Sequence, residues 1–275
     1  MKVFLKRVLP RDSVLYSLCR FVYNYKPQIY VTAVASIKAY NTTLLLALEN
    51  RWLPKPWKFD AVNAYAKYRG KVEFIQIGSN NGITGDPISD YIKNNNWTGV
   101  LIEPVPYLFE ELKNNYSNFQ DRLLFENSAI ANKNGKLKFY RLKKSDLPGL
   151  PEYYDQLGSF NKEVVLTHRN CIPYFFDLFF EDYVNAITFK DLLEKYNIDR
   201  LDFVHIDTEG YDYEILKMLP FSDLNIEFIM FEHKHLNGSD YKQAVKLLKQ
   251  NRFKIGTNGG ADTIAIKKSI YNHIT

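Results

Sequence analysis

Beyond residue 70 the chain alternates short apolar runs with stretches of helical periodicity. That alternation predicts a parallel sheet built from βαβ units. "KVEFIQIG" (71–78) reads as the first strand and "DPISDYIKNNN" as the helix after it. "TGVLIEP" (98–104) is the second strand, and in "PYLFEELKNNYS" Leu108, Phe109 and Leu112 share a helical face. "LLFENSAIA" (123–131) and "GKLKFYRL" (135–142) carry further strand signals. "LDFVHID" (201–207) and "IEFIMFEHK" (226–234) are later buried strands, each followed by a helical pattern. The closing "RFKIGTNGGADTIAIKK" places an "NGGAD" turn between two strands, so the last strand is expected to run antiparallel to its neighbour. No internal repeat is visible. The expected architecture is an α/β, doubly wound sheet ending in a hairpin.

A glycine-rich turn joins the first strand to the first helix, at the carboxyl end of the strands, where such sheets bind ligands. A dinucleotide fingerprint would read G-x-G-x-x-G. Here Gly78-Ser79-Asn80-Asn81-Gly82 reads G-x-N-x-G, with Gly85 further on. Asn tolerates left-handed backbone, so the tight turn survives, and its amide suits a neutral or zwitterionic ligand better than a pyrophosphate. The second strand ends in Glu103, where a carboxylate can accept both hydroxyl protons of a ribose. That placement serves NAD and S-adenosylmethionine alike.

Composition adds two points. The 20 Tyr and 19 Phe imply an aromatic-rich core. Only Cys19 and Cys171 are present, which excludes a disulfide framework or cysteine metal cluster and makes a reduced, cytoplasmic compartment the default. Charge is uneven: residues 1–58 hold ten Lys or Arg against Asp12 and Glu49, leaving the remainder mildly acidic within a net +5. "NRWLPKPWKFD" punctuates the chain ahead of a domain boundary drawn near residue 70. Residues 1–70 are read as a basic, mainly helical extension without signal-peptide or membrane-spanning character. It either packs on the main domain or a partner, or makes peripheral contact with the inner face of an anionic membrane.

Taken in order, "FIQIGSNNG", "GVLIEPVPYLFEELKNNY", "ENSAIA", "HIDTEGYDYEIL" and "IMFEHKHL" resemble the FkbM-type S-adenosylmethionine-dependent methyltransferases over roughly residues 71–268. The resemblance implies the class I methyltransferase fold, a Rossmann-like doubly wound sheet of seven strands with an antiparallel last strand. It also implies S-adenosylmethionine as cofactor. Gln76 to Gly82, including Gly78, Ser79, Asn80 and Asn81, would wrap its methionine part, with Gln76 standing where class I enzymes commonly have an acid. Glu103 would hold the ribose, Pro104 and Val105 one side of the adenine, and Asn127, Ser128 and Ala129 the adenine edge.

Methyl transfer requires donor and acceptor to be aligned and, for a hydroxyl acceptor, a proton to be removed. The bases at strand ends are Asp207, Glu209, Glu232 and His233. Asp207 and Glu209 also suit a helix start, where acids are favoured without any chemistry. His205 reads as a core or cofactor-wall residue. His233 and His235 with Asp207 or Glu232 would make a divalent-cation set, but the resemblance requires no metal and none is expected. Residues 141–187 form an insertion expected to act as an acceptor-side lid, with Tyr154, Gln156, Ser159, Phe160 and His168 toward a sugar-like acceptor. A helical lid without acceptor contacts is the plainer alternative.

The leading expectation is O-methylation of a hydroxyl on a sugar, glycan or other small acceptor. An NAD-dependent oxidoreductase on a similar sheet, and an inactive nucleotide-binding module tethered by the basic N-terminus, are the alternatives. A nucleic-acid partner is not expected: the main domain is mildly acidic and lacks an N/D-P-P-Y/F motif.

Overall fold

The computed structural model describes residues 54–275. The basic segment before residue 54, and with it most of the expected membrane contact, lies outside the described residues. A seven-stranded sheet forms the centre, in the order β10 (Phe253–Thr257), β11 (Asp262–Lys267), β9 (Phe228–Glu232), β8 (Phe203–Ile206), β1 (Glu73–Ile77), β2 (Thr98–Ile102), β3 (Leu123–Glu126). β1, β2, β3, β8 and β9 pair in parallel, whereas β11 is antiparallel to both β9 and β10. The hairpin therefore inserts its second strand between the first and the parallel block. This is the class I methyltransferase sheet. The central strands are covered on both faces, as their apolar sequences require: β8 and β9 are buried at every position.

Strand order reverses between β1 and β8, the switch point at which the carboxyl ends open a crevice. The helix after β1 starts only at Ser89, after a turn in which Asp86 Oδ1 accepts from the N–H groups of Ile88 (2.9 Å) and Ser89 (3.1 Å). The helix Pro106–Asn115 buries Leu108 and Leu112 on the face its periodicity marks.

Two expectations are corrected. The compact unit begins at Pro54, ahead of the boundary drawn near residue 70. The Trp57 backbone N–H donates to the Thr257 carbonyl at 3.0 Å, and the helix Ala61–Arg69 buries Ala61, Val62, Tyr65 and Ala66 in the main core. Its Tyr65 hydroxyl reaches Glu227 at 2.8 Å. The reason is the helical spacing of Ala61, Val62, Tyr65 and Ala66, which lie beyond the basic residues 1–58.

The second correction concerns residues 141–187. Their latter part is β7 (Phe179–Ile187), which pairs antiparallel with β5 (Gly135–Leu142) from Gly135↔Ala186 to Leu142↔Phe179. With β4 (Ala129–Ile130) and β6 (Gly158–Ser159) these make a second sheet, ordered β4-β7-β5-β6. "LLFENSAIA" is thus two strands, broken at Asn127-Ser128 where the chain leaves one sheet for the other. The true excursion, between β5 and β7, carries a small core of its own around Leu142, Leu157, Val165 and Phe175. No helix of the described residues is long and apolar enough to cross a membrane.

Candidate functional site

At the switch point the ends of β1, β2 and β8 are tied together by backbone. Gly78 and Ser79 donate to the Ile102 carbonyl at 3.0 and 2.9 Å, and Asp207 donates to that of Ile77 at 2.9 Å. A side chain at Gly78 has no space: a Cβ there would lie 1.7 Å from the Asp207 carbonyl oxygen. Gly78 has φ +81° and Asn80 φ +47°, so the Asn does take the left-handed geometry expected of it. The turn so formed passes under Glu103. Glu103 Oε2 accepts from Asn80 N–H at 2.9 Å and Oε1 from Val105 N–H at 2.8 Å.

Two clefts meet over this turn, of about 520 and 620 Å³. Both are lined by Gly78, Asn80, Gln156, Asp207 and Glu209. The first is mostly apolar. Pro104, Val105 and Ala129 line it, joined by Ile77, Ile102, Phe139 and Phe160, with Glu103 and Ser128 as polar members. Phe160 stands edge-on to Phe139 at 5.4 Å and to Tyr211 at 5.0 Å, which fixes its ring. The second cleft is polar, with Gln76, Ser79, Asp86, His168, His205 and Lys234 in its wall.

Buried polar groups in the second cleft are incompletely paired. Gln76 Nε2 lies 3.2 Å from His205 Nδ1, while Gln76 Oε1 and His205 Nε2 have no hydrogen-bond partner among the described residues. Burial holds His205 down at about 4, so it is neutral at ordinary pH and accepts the Gln76 amide on Nδ1. Burial pushes Glu103 and Asp212 up to about 7. Burial, reinforced by neighbouring carboxylates, raises Asp207 well above the usual range, and Glu232 likewise. The site is a crowded set of acids facing a cavity, an arrangement that favours a cationic ligand.

Not every expected residue faces the clefts. Asn127 turns its amide onto the carbonyls of Glu103 (2.8 Å) and Pro104 (3.3 Å), locking strand ends together. Asn81 is occupied in a local turn, its Oδ1 accepting from Ile83 and Thr84 N–H, and Gly82 packs beneath Tyr116 and Leu112. Ser128 lines the first cleft but spends its hydroxyl on Glu126 at 2.8 Å.

Of the expected bases, Asp207 and Glu209 line both clefts and Glu232 lies beside them. His233 is turned away: its Nδ1 is 3.1 Å from Thr263 Oγ1 and its ring packs near Tyr241. The alternation that puts Glu232 on the cleft side sends its neighbour elsewhere. On the insertion, Gln156 lines both clefts, Phe160 the first and His168 the second. Ser159 instead donates to the Glu209 carbonyl at 2.7 Å, and Tyr154 is buried with its hydroxyl on the Ser145 backbone. Phe139, Tyr211 and Lys234 were missed by sequence reasoning; only the ordered pairing of β5 with β7 brings Phe139 to the cleft.

Comparison with known proteins adds the family. No curated protein matches the chain. An FkbM methyltransferase from Methylobacillus flagellatus KT is 11% identical in sequence, with 72% of this chain and 44% of that one covered and a TM-score of 0.44. The fibrillarin pre-rRNA processing protein of Methanococcus jannaschii is 12% identical, with coverage of 72% and 67% and a TM-score of 0.38. A Staphylococcus aureus protein described as a "putative caffeoyl-CoA O-methyltransferase" is 10% identical, with coverage of 86% and 98% and a TM-score of 0.39. The Methyltransferase FkbM domain matches residues 76–255, from Gln76 at the floor of the second cleft to β10. That span is well over half of the sequence, and the chain belongs to the FkbM methyltransferase domain family.

Proposed function

We propose that this methyltransferase uses S-adenosylmethionine to methylate a hydroxyl of a sugar, glycan or other small acceptor. The observation that carries the reading is the junction of an apolar cleft and an acid-lined cleft at Gly78, Asp207 and Glu209. The residues fit such a cofactor. Its adenine would enter between Pro104, Val105 and Ala129 on one side and Phe139 and Phe160 on the other. The ribose hydroxyls would meet Glu103, each of whose oxygens keeps a lone pair after accepting one backbone N–H. The unpartnered Oε1 of Gln76 would accept from the ammonium group, and the surrounding carboxylates supply the charge that Gln76 lacks.

When bound, the cofactor supplies an electrophilic methyl group on a positively charged sulfur. The protein's contribution is placement and proton removal. Asp207 and Glu209, at the junction, are positioned to take the acceptor's hydroxyl proton, and Gln156 spans both clefts. Burial raises the proton affinity of Asp207, which makes its ionised form a stronger base than a carboxylate in water.

The test is isothermal titration of the full chain with S-adenosylhomocysteine and, separately, with NAD. Binding of the first alone, weakened in Glu103→Gln, supports the reading. NAD binding in its place would make the oxidoreductase the better description, and binding without turnover on a hydroxyl panel the inactive module.

A further inference from the structure

Ligand atoms from three segments of the chain converge beside the second cleft. Imidazole nitrogens of His168 and His235 and a carboxylate oxygen of Glu209 all lie within 4.8 Å of one another. So do carboxylate oxygens of Asp207, Glu209 and Glu232, and Glu209 belongs to both groups. His235 Nε2 stands 3.0 Å from Glu209 Oε2 and 3.8 Å from Glu232 Oε1.

Proximity here is not hydrogen bonding. Nε2 of His168, Nε2 of His235, Oε2 of Glu209 and Oε2 of Glu232 are all buried and without a hydrogen-bond partner among the described residues. Glu232 is 7% exposed, and the His235 side chain 9%. A proton shared by His235 and Glu209 would align the N–H with the carboxylate; at 3.0 Å they approach without that alignment. Two ligands about 2.1 Å from one ion and at right angles to it lie about 3 Å apart, which is this spacing.

We propose that His168, His235 and Glu209, with Asp207 and Glu232 beside them, bind a divalent transition-metal cation. Charge permits it: carboxylates bind a cation in their deprotonated form, and with Lys234 in the same cleft wall the three would then leave two negative charges for a divalent ion. The donor set selects the class of ion. Two imidazoles with carboxylates suit Mn²⁺ or Zn²⁺, whereas Mg²⁺ and Ca²⁺ take oxygen ligands. His168 comes from the insertion, so the cation would fasten that segment to the sheet at the acceptor side. Its chemical use, polarising an acceptor hydroxyl, rests on the proposed methyltransferase reaction; the binding itself does not. His233, the partner suggested by spacing, is replaced by His168, which no sequence pattern links to His235.

The tag-free full chain, stripped with chelator, is titrated with MnCl₂ and with ZnCl₂. One equivalent of at least one ion should bind. Since an outer-shell partner costs about 10–100-fold in affinity, losing a ligand in His235→Gln or His168→Gln should cost more than about 100-fold. The exposed His273→Gln should bind as wild type, and circular dichroism reports whether each variant is folded. Absence of stoichiometric binding by the stripped wild type, or retained binding in a folded His168→Gln/His235→Gln double variant, overturns the proposal. S-adenosylhomocysteine titrated into the same stripped protein tests the cofactor reading independently.

Discussion

The backbone N–H of Asn80 donates to Glu103 Oε2 at 2.9 Å, joining the turn after β1 to the end of β2. Glu103 is thus a structural clasp as well as a cleft residue. Glu103→Ala leaves the N–H groups of Asn80 and Val105 without their acceptor, at roughly 1–3 kcal/mol for each buried donor. We expect a clear drop in melting temperature together with loss of S-adenosylhomocysteine binding. Glu103→Gln keeps one carbonyl acceptor and should melt closer to wild type while still binding weakly, which calorimetry and thermal melts separate.

Gly78→Ala is a sharper probe. The added Cβ meets the Asp207 carbonyl oxygen at 1.7 Å, on backbone that cannot move without separating β1 from β8. Expression as a soluble but destabilised protein with no measurable cofactor affinity is the expected result. Wild-type affinity in that variant would contradict the close approach.

Phe160 tests the adenine wall. Its ring is held edge-on by Phe139 and Tyr211, so truncation removes a preformed surface. Phe160→Ala should weaken S-adenosylhomocysteine by about tenfold, the scale of an aromatic contact of roughly 1–1.5 kcal/mol. An unchanged dissociation constant would move the adenine out of the first cleft.

The buried acids predict an unusual pH profile. Glu103 and Asp212 are pushed up to about 7 by burial, and Asp207 and Glu232 are raised also. A carboxyl raised on folding contributes stability that is complete below its unfolded value and is lost as pH climbs through the folded one. His205, held at about 4, works from the other side: its contribution is present above its usual value and lost as pH falls toward 4. Four raised acids outweigh one depressed histidine, so thermal melts of the ligand-free, metal-stripped protein should fall steadily from about pH 5 toward pH 8. A flat profile across that alkaline range would mean that the acids are ionised at no cost.

How far the sequence foretold this site depends on what each feature needs. The turn at Gly78–Asn80, Glu103 at a strand end and the antiparallel hairpin rest on local backbone rules, and each was legible in a short window. β7 was not, because its partner β5 lies far upstream and its outward face carries charges that read as loop. Ser159 was read as facing an acceptor, yet it holds the Glu209 carbonyl, a contact between segments 50 positions apart. His168 and His235 meet for the same reason: their ring centroids are 5.4 Å apart only because the insertion folds back over β9. Long-range pairing, not residue type, decided these positions.

Glu209 separates stability from function. It has φ +49°, a left-handed conformation that costs a non-glycine residue roughly 1–2 kcal/mol. Its charge also raises the neighbouring carboxyls of Asp207, Asp212 and Glu232. Both effects disfavour the fold, and Glu209 Oε2 gains no hydrogen bond in return. Glu209→Gly removes the strain and the repulsion together and should raise the melting temperature of the metal-stripped protein despite deleting a side chain. Glu209→Gln removes only the repulsion and should fall between it and wild type. Turnover, where an acceptor is found, should fail in both. A Glu209→Gly protein that melts below wild type would mean that the side chain stabilises the fold, and that its left-handed backbone is paid for by structure instead of by the site.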